Sequence, residues 1–189
     1  MQIKVKTELN NDSISMYYCQ IKTPVGNIIS CSSEKGIVMV LFEEEAKKYI
    51  EKFLSCQSNH LIESKNDILE KLESQMDEYF SGNRKNFNLQ LDLSSGSDFQ
   101  KDVWKTVQNI PFGGTRNYGD IANEIGGKNF TRAVANANAK NDVLLLIPCH
   151  RVIGTGNKLT GYRGGNERKR WLIEFERSFI DQKEMETLF

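Results

Sequence analysis

A run of four apolar residues that stops at a proline and a cysteine restricts the local fold more than any other feature of the chain. The run is Leu144-Leu145-Leu146-Ile147, and Pro148-Cys149-His150 follows it directly. Four apolar residues bounded by polar ones predict a buried strand, and a proline ends such a strand because it has no backbone N–H to donate. We therefore expect the cysteine at the end of a rigid element, where a reactive group is held in place.

Cys149 and His150 together indicate nucleophilic chemistry. A thiol is a weak nucleophile until it becomes a thiolate, and a nearby imidazole is a common way to form one. Adjacent residues of a strand point to opposite faces, so a water molecule or a bend after Pro148 would have to connect the two side chains. An isolated cysteine is more often a buried structural thiol. The motifs that surround Cys149 therefore decide between the two interpretations.

The chain before residue 95 predicts a small α/β domain with a short antiparallel sheet. Apolar stretches separated by glycine-containing turns are typical of strands, and apolar residues at helical spacing are typical of amphipathic helices. Ser94-Ser95-Gly96-Ser97 is the expected boundary, so the predicted domains are residues 1–94 and 95–189. The predicted strands are Met16–Thr23, Ile28–Cys31, Ile37–Phe42 and Phe87–Leu93, and the predicted helices are Glu43–Leu54 and Ile68–Phe80.

The second domain is predicted to be mainly helical and to carry a helix-turn-helix. Ser97 and Gln100 form a capping box at the start of a helix that ends before Pro111. Gly126-Gly127 separates two short helices, which is the pattern of a helix-turn-helix. Those helices are Tyr118–Ile125 and Phe130–Ala139, with Asn129 as a candidate cap, and a closing amphipathic helix is expected over Asn166–Arg177.

The charge distribution is compatible with nucleic-acid binding by one part of the chain, although the whole chain is neutral. Residues 1–98 carry a net charge of −4, residues 99–176 carry +5 and residues 177–189 carry −1. A basic segment beside an acidic one suits phosphate contact on one face. No apolar run reaches the roughly 20 residues that cross a membrane. Residues 1–8 lack the apolar core of a signal peptide, and the cysteines show no paired spacing. We therefore expect a cytoplasmic (intracellular) protein.

Two motifs and several upstream residues favour one family. The motifs are Pro148-Cys149-His150-Arg151-Val152 and Gly161-Tyr162-Arg163-Gly164-Gly165. In their order and spacing, residues 99–176 closely resemble the O6-alkylguanine-DNA alkyltransferases, repair proteins that accept an alkyl group on a cysteine. The upstream residues are Phe99-Gln100, Val103-Trp104, Ile110-Pro111, Tyr118-Gly119, Arg132-Ala133-Val134 and Asn141.

The resemblance implies a role for each catalytic candidate. Cys149 would be the nucleophile and the permanent acceptor of the alkyl group, chiefly methyl, so that each molecule reacts once. His150 would be the base, acting through water, and Glu176 would orient its ring. Tyr118 would donate a proton to the departing base and contact the target phosphate, and Asn141 would lie near the base pocket.

The resemblance also implies that double-stranded DNA is the partner and that the damaged nucleotide is flipped out of the duplex. Arg132 would fill the vacated stack, and Thr131, Ala133, Tyr118 and Arg151 would contact the DNA, with the second short helix in the minor groove. The expected substrate pocket consists of Val152, Tyr162, Arg163 and Gly164. The chain departs from the family where Asp142 follows Asn141 instead of proline, and where Arg163 replaces the smaller serine of some members.

No cofactor or metal is expected, because the thiol itself accepts the group. Some family members carry a structural zinc, and Cys19, Cys31, Cys56 and His60 are suitable ligand types, but their spacing matches no zinc pattern. We expect a monomer whose first domain has a supporting role. Two other functions stay open: a non-catalytic protein that binds alkylated bases, and a Cys-His-Glu hydrolase with turnover.

Overall fold

Four strands in the N-terminal region, the part of the chain before residue 94, form one sheet in the order β3-β2-β1-β4. The computed structural model describes residues 15–56 and 59–186. The first eight residues, on which the expectation about a signal peptide depends, lie outside the described residues. The elements of this region are β1 (Ser15–Thr23), β2 (Gly26–Ser33), β3 (Gly36–Phe42), α1 (Glu43–Leu54), β4 (His60–Glu63) and α2 (Asp67–Phe80).

The antiparallel part of this sheet is confirmed, and one strand is added to it. β1 pairs antiparallel with β2, and β2 with β3, whereas β4 runs parallel to β1. The predicted strand Phe87–Leu93 is wrong. In that segment Leu91 forms a single bridge with Ile37, and the side chains of its alternating apolar residues pack against the core while the backbone mostly lacks a partner strand.

The C-terminal region, from residue 98 onward, is mainly helical, as predicted. Its capping box at Ser97 and Gln100 is present. Tyr118–Ile125 is confirmed as a helix, and Asn117 and Asp120 cap it reciprocally. The elements are α3 (Asp98–Gln108), β5 (Arg116–Asn117), α4 (Tyr118–Ile125), α5 (Thr131–Ala139), β6 (Val152–Ile153) and α6 (Asn166–Glu186), with 3-10 turns at Lys128–Phe130, Cys149–Arg151 and Thr155–Asn157.

Two local predictions in this region are wrong. Leu144–Ile147 is a tight turn closed by a bridge between its end residues, and Leu145 has a φ of 71°, which is unusual for a side chain of its size. Asn129 does not cap α5, because it lies inside the 3-10 turn that precedes the helix. Gly127, with a φ of 113°, makes that sharp connection possible. The closing helix α6 extends beyond the predicted end to Glu186.

The edge of β3 joins the two regions immediately before the cysteine. The Val40 N–H donates to the Asp142 carbonyl at 2.8 Å, and the Leu144 N–H donates to the Val40 carbonyl at 2.9 Å. Every residue of β3 is buried. The segment that leads to Cys149 is therefore fixed to the sheet of the N-terminal region. Among the described helices, none combines the length and apolar character that a membrane span requires.

Candidate active site

Cys149 lies in the 3-10 turn Cys149–Arg151 rather than at the end of a strand. Its side chain is buried, and Asn141 Nδ2 lies 3.1 Å from its Sγ. Burial raises the pKa of the Cys149 thiol to about 11, although the Asn141 hydrogen bond and the charge of Lys169 act in the opposite direction. The thiol is therefore protonated at neutral pH and needs a base before it can act as a nucleophile.

His150 is a buried, neutral base candidate. Its Nε2 lies 2.9 Å from Glu176 Oε1, and because a carboxylate only accepts hydrogen bonds, Nε2 carries the proton and Nδ1 keeps its lone pair. Burial lowers the pKa of His150, while the Glu176 charge opposes that shift. Nδ1 is buried and has no hydrogen-bond partner among the described residues. The side chain thus presents an unpaired basic nitrogen inside the protein.

The Glu176 carboxylate is the centre of a buried hydrogen-bond network. Oε1 accepts from His150, from the Tyr79 hydroxyl at 2.6 Å and from Arg151 Nη2 at 2.9 Å. Oε2 accepts from Arg151 Nε at 3.0 Å and from the Gly113 N–H at 2.8 Å. Burial alone would raise the pKa of Glu176, but its interactions with His150 and Arg151 outweigh that effect and hold the pKa well below its usual range. Glu176 is therefore ionised.

The prediction that Arg151 contacts DNA is wrong. Arg151 is 3% exposed. Its Nη1 donates to the Ile110 carbonyl at 2.6 Å, and its other donors point to Glu176. A guanidinium that is enclosed in this way does not reach a phosphate at the surface. It balances the buried negative charge of Glu176 instead.

Asn141 holds the turn that delivers the cysteine. Its Oδ1 accepts from the Val143 N–H at 2.9 Å, and its Nδ2 donates to the Ile147 carbonyl at 2.9 Å as well as to Cys149. The side chain is 1% exposed. The usual proline of the family is absent at the next position, but the bond from Val40 to the Asp142 carbonyl anchors the loop in its place.

Tyr118 and Lys169 converge on the backbone beside the site. The Tyr118 hydroxyl donates to the Thr160 carbonyl at 3.2 Å. Lys169 is fully buried and donates to the same carbonyl at 2.7 Å and to the Val152 carbonyl at 2.5 Å. Burial lowers the pKa of Lys169 to about 8 and raises that of Tyr118. Val152, a predicted pocket residue, is buried on β6 below this cluster.

The other predicted pocket residues belong to the loop that precedes α6. The Tyr162 ring meets His150 edge-on with 6.2 Å between centroids, and its buried hydroxyl has no hydrogen-bond partner in the described part of the chain. Gly164 packs against the Phe42 ring, which a Cβ at this position would overlap. The half-buried Arg163 forms a salt bridge with Asp142. These two residues, at which the chain departs from the family, therefore pair with each other.

The predicted DNA-contacting residues Thr131, Arg132 and Ala133 lie together at the start of α5. Arg132 and Ala133 are exposed, and Arg132 makes no salt bridge with any residue that the structure describes. Thr131 Oγ1 donates to the Lys128 carbonyl at 2.7 Å. A groove of about 500 Å³ between the starts of α4 and α5 has both Thr131 and Tyr118 in its walls. It connects the exposed start of α5 to the edge of the site.

The candidate zinc ligands lie in separate elements of the N-terminal region. Cys19 is on β1, Cys31 is on β2, Cys56 follows α1 and His60 begins β4. Within residues 15–56 and 59–186, no group of three or more Cys, His, Asp or Glu side chains is arranged to hold a metal ion.

Two buried residues of the site were missed by the sequence analysis. Lys169 lies on the same face of α6 as Leu172, Ile173 and Glu176, at helical spacing. A lysine and a glutamate within an otherwise apolar helix face could have indicated that both side chains are buried. Tyr79 also lies on an apolar stripe, that of α2. Nothing in the local sequence connects it to a carboxylate 97 residues away.

A small sheet region followed by a helical region that buries a Cys-His-Glu arrangement indicates a cysteine-dependent alkyltransferase. The model of the 6-O-methylguanine DNA methyltransferase DNA binding domain matches residues 98–178, and that of the ribonuclease-like domain of the same proteins matches residues 16–93. The chain therefore belongs to the 6-O-methylguanine DNA methyltransferase family.

Individual relatives support this assignment over most of the chain. The methylated-DNA–protein-cysteine methyltransferase of Methanosarcina mazei is 39% identical over 161 residues, which cover 85% of this chain and 97% of that protein. The constitutive methyltransferase of Bacillus subtilis is 37% identical over 168 residues, which cover 88% and 99%. A crystal structure of Mycobacterium tuberculosis OGT in complex with DNA has a TM-score of 0.73 and 35% identity, and the match covers 88% of this chain and 94% of that one.

Proposed function

We infer that the protein repairs O6-alkylguanine in DNA by transferring the alkyl group, chiefly methyl, to its own Cys149. The observation that carries this inference is the buried Cys149 thiol, which directly precedes in the chain a neutral imidazole that is hydrogen-bonded to an ionised carboxylate. The relatives at 37–39% identity are named for the same transfer. Methyl-transferase activity towards DNA is thus the function of the family, and Cys149 is our assignment of the acceptor.

Activation of the thiol requires removal of a proton from a group with a pKa of about 11. His150 Nδ1 is the unpaired base on the neighbouring residue, and a water molecule between Nδ1 and Sγ would carry the proton. Glu176 would then stabilise the imidazolium, because the two side chains are already hydrogen-bonded. The Asn141 amide and the Lys169 ammonium would stabilise the developing thiolate.

The transfer step forms a bond from Sγ to the alkyl carbon and breaks the bond from that carbon to guanine O6. The electron pair remains on the base, which needs a proton to leave as neutral guanine. Tyr118 is our candidate for this donor, since its hydroxyl lies at the edge of the site and keeps its proton because burial raises its pKa. The thioether is not hydrolysed, so the protein acts once and needs no cofactor.

Access of the base requires two rearrangements. A guanine inside a duplex cannot reach a buried thiol, so the nucleotide has to flip out of the stack. We propose that Arg132 fills the gap while Thr131 and Ala133 lie along the minor groove. Because Cys149 is 1% exposed, side chains around it have to shift to admit the base. We also propose that the protein is a monomer and that it is intracellular, in the cytoplasm.

Intact-protein mass spectrometry tests the assignment. The protein is incubated with a duplex that contains one O6-methylguanine, and we expect one methyl group per molecule, located on Cys149, with no further product afterwards. Cys149→Ala should stay unmodified. Cys31→Ala, which removes another buried thiol, should react like the wild type. Product in excess of one equivalent would support the hydrolase, and binding without any modification would support the non-catalytic lesion binder.

A further inference from the structure

The catalytic carboxylate receives a hydrogen bond from the N-terminal region. Tyr79 is the penultimate residue of α2, is fully buried, and donates its hydroxyl to Glu176 Oε1 at 2.6 Å. The ring contacts four other aromatic rings, with 5.0–5.8 Å between centroids, so it has little freedom to turn away. The hydroxyl is therefore held on the oxygen atom that also accepts from His150.

We propose that Tyr79 is a positioning residue for alkyl transfer, whose hydroxyl fixes the Glu176 carboxylate and limits the strength of its hydrogen bond to His150. The proposal rests on the role of His150 as the base. It also changes the expectation that the first domain only supports the second, because α2 then contributes to the reactive network directly.

The donors that converge on Oε1, from Tyr79, His150 and Arg151, share the negative charge of that one oxygen. When the phenol donates to Oε1, that atom becomes a weaker acceptor for the imidazole N–H, and the imidazole becomes less basic. Burial and the nearby negative charge of Glu176 raise the pKa of Tyr79 well above its ordinary value, so the phenol keeps its proton and stays a donor at neutral pH. Tyr79 thus keeps His150 neutral until the Cys149 thiol releases its proton.

The other charged and titratable groups around this network are the same in the wild type and in a variant that lacks only the Tyr79 hydroxyl. Arg151 faces Glu176 from the turn after Cys149, and Lys169 acts on His150 from α6. Tyr162 faces His150 from the loop before α6, and Cys149 precedes His150 in the chain. A change confined to the Tyr79 hydroxyl leaves all four in place.

The experiment uses Tyr79→Phe, which keeps the ring and removes only the hydroxyl. The chain has two histidines, so ¹⁵N-histidine labelling gives few ring signals, and His60 is an internal reference. We expect the His150 Nε2–H proton to move downfield in Tyr79→Phe, because its bond to Glu176 becomes stronger. We also measure the single-turnover methyl-transfer rate as a function of pH. The midpoint of the acid limb of this profile should move to a higher pH by about half a unit to one unit. Below the midpoint this slows transfer by about 3-fold to 10-fold.

A matched control separates this effect from a loss of packing. Tyr18 is a buried tyrosine of the same region that also interacts through its hydroxyl with a carboxylate, that of Glu63, and Tyr18→Phe should leave both readouts unchanged. A fluorinated tyrosine at position 79 is a stronger donor and should move both readouts in the opposite direction. It also supplies the test if Tyr79→Phe folds poorly.

The outcomes are distinguishable from a failure of the proposed function. Methyl transfer by the wild type and its loss in Cys149→Ala are measured first. If those hold while the Nε2–H signal and the acid limb stay where they are in both Tyr79 variants, the positioning role is refuted. A rate that falls by one factor at every pH would likewise indicate only a structural role.

Discussion

Replacing Glu176 by glutamine should cost a large part of the stability of the fold. The carboxylate accepts hydrogen bonds from Tyr79, His150, Arg151 and the Gly113 N–H. A glutamine presents an NH₂ group to one half of these donors and leaves the buried Arg151 cation without a counter-charge. Removal of one partner of a buried ion pair costs about 3–5 kcal/mol. With a urea slope of about 2 kcal/mol/M, the midpoint should fall by roughly 1.5–2.5 M.

The pH dependence of the unfolding free energy provides a second test of this prediction. The pKa of Glu176 in the folded protein lies below its ordinary value of 4.5, so its stabilising contribution is fully present above that value. The contribution is lost as the pH falls through the folded pKa. The difference in unfolding free energy between the wild type and Glu176→Gln should therefore be constant from about pH 5 to pH 7 and should shrink below about pH 4.5.

Urea unfolding followed by circular dichroism provides both tests. Glu174→Gln is the matched control, because Glu174 is an exposed residue of the same helix, and it should change the unfolding free energy by less than about 0.5 kcal/mol. A loss below about 1 kcal/mol in Glu176→Gln, or a difference from the wild type that is the same at pH 3.5 and pH 7, would show that Glu176 is not a charged centre of the network.

Three further outcomes are expected. Arg163→Ser breaks the salt bridge to Asp142 and should raise the rate with O6-benzylguanine relative to O6-methylguanine by about 10-fold; an unchanged ratio would contradict this. Arg132→Ala should slow repair of a DNA duplex by about 10-fold to 100-fold, since unstacking of the damaged nucleotide costs a few kcal/mol. The same variant should hardly affect the reaction with free O6-benzylguanine, which is not stacked in DNA. Equal losses on both substrates would indicate misfolding. Methylation of Cys149 adds volume where Asn141 Nδ2 contacts Sγ, and overpacking of about 1–3 kcal/mol should lower the Tm by several degrees. Calorimetry before and after one equivalent of substrate checks this, and an unchanged Tm would refute it.

The sequence predicted the fold class, most helices and the pairing of His150 with Glu176, because those depend on local periodicity and on two specific motifs. It did not predict the turn at Leu144–Ile147, since a short apolar run is equally compatible with a strand and with a buried turn. The positive φ of Leu145 has no signature in residue type. Side-chain identity alone therefore placed Cys149 at the right point of the chain but on the wrong element.

Charged residues were misjudged for a related reason. An arginine in a basic segment is usually exposed, and the family resemblance implied that Arg151 contacts DNA. Its burial depends on Glu176 and on the Ile110 carbonyl, which approach it only in the folded chain. The contact from Tyr79 likewise requires α2 and α6 to meet. Periodicity in the sequence cannot predict contacts between residues that are far apart in the chain.

The burial of Cys149 protects the thiol of an unreacted molecule from side reactions. A thiol with a pKa of about 11 has roughly one molecule in 10,000 in the thiolate form at pH 7. Peroxides and small electrophiles attack thiolates, and they would also have to reach a side chain that is 1% exposed. A protein that reacts only once therefore keeps its reactive thiol until it meets alkylated DNA.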